Sequence, residues 1–156
     1  MWGNIGVGLD GTGWPERSSR SYQGEPLDFV PADTHWERDY RDGLVSYRSF
    51  FEKSLAANGD VTGRARIPIE KASADVVLVA GGDDALWPSD TFARDLVRRR
   101  KANGRSVSLV FEQDAGHRIL LPGETTPRSK LHAHGGRDEA DARLGQEAWQ
   151  MITPLL

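Results

Sequence analysis

The apolar positions of this chain fall into a few compact blocks separated by long polar stretches. The sharpest block is residues 76–80, Val-Val-Leu-Val-Ala, a short continuous apolar run. Two glycines and two aspartates follow it, and then Trp87-Pro88-Ser89 leads into a helical pattern. Such a run predicts a buried strand, and the pattern after it predicts a helix with Phe92, Ala93, Leu96 and Val97 on its inner face. Ser89 reads as the N-cap with Asp90 in the first turn, and Asn103-Gly104 as the stop. Arg94, Arg98 and Lys101 share the opposite, solvated face. Residues 107–111 form a second apolar strand, followed by the turn Gln113-Asp-Ala-Gly-His117.

Two further helical stretches flank this pair. From Trp36 onward, Leu44, Val45, Tyr47, Phe50, Phe51 and Leu55 recur at helical spacing, and Asn58-Gly59 ends the pattern. Residues 139–155 predict a last helix with Ala140, Leu144, Ala148, Trp149 and Ile152 turned inward. Ile67-Pro68-Ile69 is expected to be extended, because proline disfavours helix for its predecessor. Residues 10–35 and 118–136 carry no period and read as long loops. Residues 1–9 are glycine-spaced and weakly apolar, at most the remnant of a third strand.

The order helix, strand, helix, strand, helix predicts an α/β fold with parallel pairing, since one helix separates the strands. Two or three strands make a thin sheet, and parallel sheets need several strands and two covered faces. The expectation is therefore a single partial domain over residues 1–156, with an irregular excursion at 1–35. It reads as one end of a larger doubly wound unit.

Bulk properties narrow the function. The chain has 156 residues, 38% hydrophobic and 28% charged, with a net charge of −3. That balance offers no electrostatic case for nucleic acid, and the run Arg98-Arg-Arg-Lys101 is too local to change it. There is no cysteine, so no thiolate nucleophile and no zinc–thiolate site is expected. No apolar stretch approaches the ~18 residues of a membrane span. Met1-Trp-Gly-Asn-Ile-Gly does not resemble a signal peptide, and a cytoplasmic location is expected.

The candidate chemistry sits at the strand ends, where α/β sheets place their working residues. One turn is Gly81-Gly82-Asp83-Asp84 and the other is Ala115-Gly116-His117. Parallel pairing brings them side by side at one sheet edge. A carboxylate beside a histidine can orient the imidazole and stabilise its protonated form, and the histidine can then activate a nucleophile. Alone, an aspartate here is as readily a turn acceptor, and a lone histidine after Ala-Gly is most often a loop residue.

Three segments carry a resemblance: Gly-Gly-Asp-Asp-Ala-Leu-Trp-Pro-Ser, then Ala-Gly-His, then Gly135-Gly-Arg-Asp-Glu-Ala-Asp-Ala-Arg-Leu-Gly-Gln-Glu-Ala-Trp149. Together they resemble the C-terminal part of the acyl-CoA thioesterase and bile acid-CoA:amino acid N-acyltransferase family, from Ile67 to the end. Tyr22-Gln-Gly-Glu-Pro-Leu-Asp-Phe-Val-Pro31 is similar to a segment such bacterial proteins carry after the nucleophile. The resemblance implies an α/β-hydrolase fold and acyl transfer from an acyl-CoA or ester substrate, with no metal or organic cofactor. It implies that Asp84 is the catalytic acid and His117 the base. The family's Gly-x-Ser/Cys-x-Gly nucleophile elbow matches nothing here, so the chain is expected to begin after it and to be inactive alone.

The remaining candidates read as structural. Asp83 is an expected turn acceptor. His35 is unremarked, and His132 and His134 lack a third metal ligand. Arg98 to Lys101 are a solvated face rather than contacts to coenzyme A phosphates. Trp87 and Trp149 are packing residues. Gly3, Gly6 and Gly8 lack the spacing of a phosphate loop. Two other readings stay open: an accessory or remnant chain of a split gene, self-associating through a sheet edge or pairing with an N-terminal half, and part of a generic esterase or dienelactone-hydrolase-like enzyme.

Overall fold

The computed structural model describes residues 17–156. The weakly apolar opening and its glycines lie outside the described residues. The chain runs through two short hairpins, β1 (Ser21–Tyr22) with β2 (Glu25–Pro26) and β3 (Asp39–Arg41) with β4 (Leu44–Ser46). Then come α1 (Arg48–Ala57), α2 (Gly59–Ala65), a 3₁₀ turn (Ile69–Lys71), β5 (Val77–Gly81), α3 (Ser89–Ala102), β6 (Ser108–Glu112), α4 (Asp138–Ile152) and a closing 3₁₀ turn (Thr153–Leu155).

Strands β5 and β6 pair in parallel, Val77 opposite Ser108 through Gly81 opposite Glu112. Their alternation builds the three layers of the fold. Val77, Val79 and Val110 face one way and pack with Ala115, Ala140 and Leu144, the last two from α4. Leu78 faces the other way and packs with Phe92 and Leu96 of α3, joined by Phe51, Leu55 and Ile69. Successive strand side chains point to opposite faces, so a continuous apolar run is what a strand covered on both sides requires. The α/β layout expected from the sequence is present, with a parallel pair and flanking helices.

Several local expectations are corrected. The helix expected from Trp36 begins only at Arg48, because Asp42 and Gly43 take positive φ values of 53° and 77° and close the β3–β4 hairpin. Asp-Gly is a strong signal for this tight turn, and the helical spacing of Leu44 and Val45 concealed it. Gln23 and Gly24 do the same for β1 and β2, inside the stretch read as loop. Ile69 enters a 3₁₀ turn rather than an extended segment. Trp149, expected inward, is 40% exposed. Buried Arg100, 1% exposed, departs from the solvated run in which it was read. Its guanidinium donates to the carbonyls of Ser106, Ile69, Ala72 and Ala74 at 2.7–3.1 Å, and so ties the end of α3 to the segment entering β5. No helix among the described residues is long and apolar enough to cross a membrane.

Candidate functional site

The two strand-end turns lie side by side. Gly82 N–H donates to Glu112 O and Asp83 N–H to Ala115 O, both at 2.9 Å, continuing the β5–β6 ladder into the turns. A third strand-like segment crosses them. The carbonyl of His134 accepts from His117 N–H at 2.9 Å and from Ala85 N–H at 3.2 Å. One backbone oxygen thus joins both turns, from a loop the sequence had shown only as irregular. Gly135 and Gly136 make this crossing possible. Both have positive φ, and a Cβ at either would run into backbone, of Asp83 for Gly135 and of Gly116 for Gly136.

Asp84 and His117 meet here. His117 Nδ1 lies 3.0 Å from Asp84 Oδ2. The Asp84 carboxylate is 2% exposed and is held from several sides. Its Oδ1 accepts from the backbone N–H of Leu86 at 2.8 Å and of Trp87 at 3.0 Å. Its Oδ2 also accepts from the Ser89 hydroxyl in a short bond. A buried carboxylate is tolerated where donors fill its lone pairs, and this one is a pure acceptor facing Nδ1. That arrangement favours the Nδ1–H tautomer, which leaves Nε2 free to take a proton. Ser89 therefore does not cap α3, as its position had suggested. Pro88 occupies the N-cap place, and the Ser89 side chain turns to Asp84 instead.

Asp83 has different work. Arg41 of β3 grips it with two bonds, at 2.8 and 2.7 Å, and Gly136 N–H donates to it at 2.9 Å. The Arg41 hydrogen bonds, helped by the Gly136 amide, hold its carboxyl below the usual carboxylate range. Arg48, at the start of α1, donates to Asp84 O at 3.1 Å and to Asp90 at 2.8 Å. Strand β3 and α1 thus brace the outer side of the acidic turn.

The histidine turn is braced from α4. Asp141 is fully buried, at 0% exposure, and accepts Gly116 N–H at 2.8 Å and Arg118 Nε at 3.3 Å. Aromatic contacts complete the surroundings. The Trp87 ring stacks on His117, with centroids 5.4 Å apart and planes 18° from parallel. The His134 ring stands 5.8 Å from His117 on a tilted plane. Burial, then the nearby His117, pushes the His134 pKa down. His132 instead packs its ring against Tyr47, and His35 sits near Asp33.

A small apolar cavity of about 130 Å³ opens at this point, lined by Val79, Gly81, Trp87, His117 and Ile119. A larger cleft of about 820 Å³ contains neither Asp84 nor His117. Two of its cations, Arg64 and Arg99, face Asp28 and Glu70 at 3.6 and 3.8 Å, and none of its described lining residues is a histidine.

Comparison with known proteins agrees with the segments that carry the resemblance. The family model described as BAAT / Acyl-CoA thioester hydrolase C terminal matches residues 4–156. Acyl-coenzyme A thioesterase 6 of Mus musculus is 28% identical over 132 residues, covering 80% of this chain and 31% of the relative. Acyl-coenzyme A thioesterase 1 of Homo sapiens is 26% identical over 139 residues, covering 84% and 32%. Acyl-coenzyme A thioesterase 2, mitochondrial, of Homo sapiens is 26% identical over 139 residues, covering 84% and 28%. The chain thus spans about a third of the length of the curated relatives it matches. Matched along nearly all of its residues, the chain belongs to the BAAT / acyl-CoA thioester hydrolase C-terminal family.

Proposed function

We propose that this chain is the C-terminal segment of an acyl-CoA thioesterase- or acyltransferase-like α/β-hydrolase, and that it supplies two members of a catalytic triad. Asp84 is the acid that orients and His117 the base that moves the proton. The observation that carries this reading is the 3.0 Å approach of His117 Nδ1 to the buried Asp84 carboxylate at the ends of two parallel strands. That is where α/β-hydrolases hold their acid and histidine, in this chain order.

In the reaction, His117 Nε2 takes the proton of a nucleophilic hydroxyl or thiol as that group attacks the acyl carbonyl. The imidazolium, steadied by Asp84, returns a proton to the departing coenzyme A thiolate. The acyl-enzyme then passes its acyl group to water, giving hydrolysis, or to an amine, giving N-acyl transfer. The 156 residues contain no cysteine and no Gly-x-Ser-x-Gly segment. In this reading the nucleophile therefore comes from outside them. An enzyme without its nucleophile loses the covalent route and retains only what binding and the oxyanion hole supply.

Release of free thiol from a fatty acyl-CoA tests the reading. The isolated chain is expected to release none. The same chain, fused behind the N-terminal two thirds of a thioesterase relative, is expected to release coenzyme A. In that fusion His117→Ala abolishes release and Asp84→Asn lowers kcat by about 10⁴, the loss expected when the orienting carboxylate is removed. Turnover by the isolated chain that vanishes on His117→Ala would overturn the reading, as would an active fusion indifferent to that substitution.

A further inference from the structure

Resting on the reading of Asp84 and His117 as a working pair, we infer that Trp87 is a positioning residue that holds His117 in register with Asp84. Trp87 touches both members of the pair with different parts of itself. Its backbone N–H donates to Asp84 Oδ1 at 3.0 Å. Its indole lies nearly parallel to the His117 imidazole, with centroids 5.4 Å apart and an 18° angle. The indole also stacks on Phe51 of α1, at 5.7 Å and 17°, and so connects a ring of α1 to the base.

This stacking constrains the histidine. Rotation of the imidazole about its outer torsion would break the parallel contact and swing Nδ1 away from Oδ2. The His134 ring, 5.8 Å off and tilted by 59°, stands beside the same imidazole. A backbone amide three residues after Asp84 reaches its carboxylate only if the turn is closed, so the same turn that fixes the acid also sets the indole against the base. Trp87 therefore holds the ring plane of the base.

The whole 156-residue chain, labelled with ¹⁵N, provides the test through the His117 imidazole nitrogens and the exchange of the Nδ1 proton with water. Wild type is expected to show the Nδ1–H tautomer, and Asp84→Asn to lose it. Trp87→Leu is expected to speed exchange of the Nδ1 proton at least roughly twofold, the factor set by losing one ring–ring contact. Trp87→Phe keeps an aromatic face and is expected to restore most of the protection. Backbone amides of β5 and β6 report whether each variant is folded. Where Trp87→Leu perturbs them, Trp87→Met is read in its place. Two aliphatic variants that both unfold while Trp87→Phe folds would mark Trp87 as a core residue and overturn the inference. Unchanged exchange in a folded aliphatic variant overturns the role of Trp87 alone. A wild type without the Nδ1–H tautomer, or one indifferent to Asp84→Asn, defeats the pairing itself and the role of Trp87 with it.

Discussion

Asp83 and Asp84 are chemically identical neighbours, and their surroundings separate them. Asp84 is buried, accepts two backbone amides and a serine hydroxyl, and lies 3.0 Å from an imidazole nitrogen. Asp83 is half exposed and pairs with an Arg41 of similar exposure. Deleting a buried acceptor leaves its donors without water or protein partners, at about 1–3 kcal/mol. A solvent-screened ion pair contributes about 0–1 kcal/mol. Asp84→Ala is therefore expected to lower unfolding stability by about 1–3 kcal/mol, and Asp83→Ala by about 1 kcal/mol or less. Urea denaturation midpoints of the two variants check the contrast, and equal losses would contradict it. Nothing in the dipeptide Asp-Asp distinguishes its members. The motif's resemblance to a family selected Asp84, and the structure brings that residue, not Asp83, to His117.

Elements here are joined by buried polar groups as much as by apolar faces. The apolar periods of α3 and α4 do their expected part, placing Phe92 and Leu96 on one face of the sheet and Ala140 and Leu144 on the other. The connections between elements depend on Arg100 and Asp141, whose burial no hydrophobic pattern announces. Arg100 closes three carbonyls where the chain enters β5 and a fourth, of Ser106, before β6. Arg100→Met keeps much of the stem but orphans those acceptors, and is expected to cost about 3 kcal/mol. Arg100→Lys is not expected to rescue it, because a point-like ammonium cannot reproduce the planar fork. Thermal unfolding of both variants measures this, and a lysine variant as stable as wild type would contradict it. The hairpin β3–β4 departs from the expected helix for the opposite reason. Its turn signal, Asp42-Gly43, is legible, but a helical spacing of apolar residues runs through it.

In the whole molecule, acid sensitivity follows from which groups the fold holds away from their ordinary titration. Burial and the neighbouring His117, Arg118 and Arg128 disfavour the charged form of His134, against a weaker pull from Asp84. Its folded-state pKa lies below the ordinary 6.5, so the unfolded chain binds the proton more readily. Stability from His134 is then complete above pH 6.5 and declines as pH falls through that value toward the folded pKa. Asp83, paired with Arg41, and Asp138, beside Arg128, are also lowered. Their contribution is present above the ordinary carboxylate value of 3.8 and is lost only at lower pH. The thermal midpoint is expected to fall as pH drops below 6.5, and His134→Gln to flatten that first decline while leaving the more acidic one. A variant whose profile overlays wild type would contradict the assignment. The chain order of apolar blocks, the strand-end position of the two turns and the residues that resemble a family were all readable along the sequence, because strand and helix periods and turn chemistry are local. Which aspartate meets the histidine, why Ser89 turns from its helix, and how the His134 loop joins the two turns were decided only in three dimensions. Those contacts reach up to 53 positions along the chain, and no local preference of the chain encodes a partner at that distance.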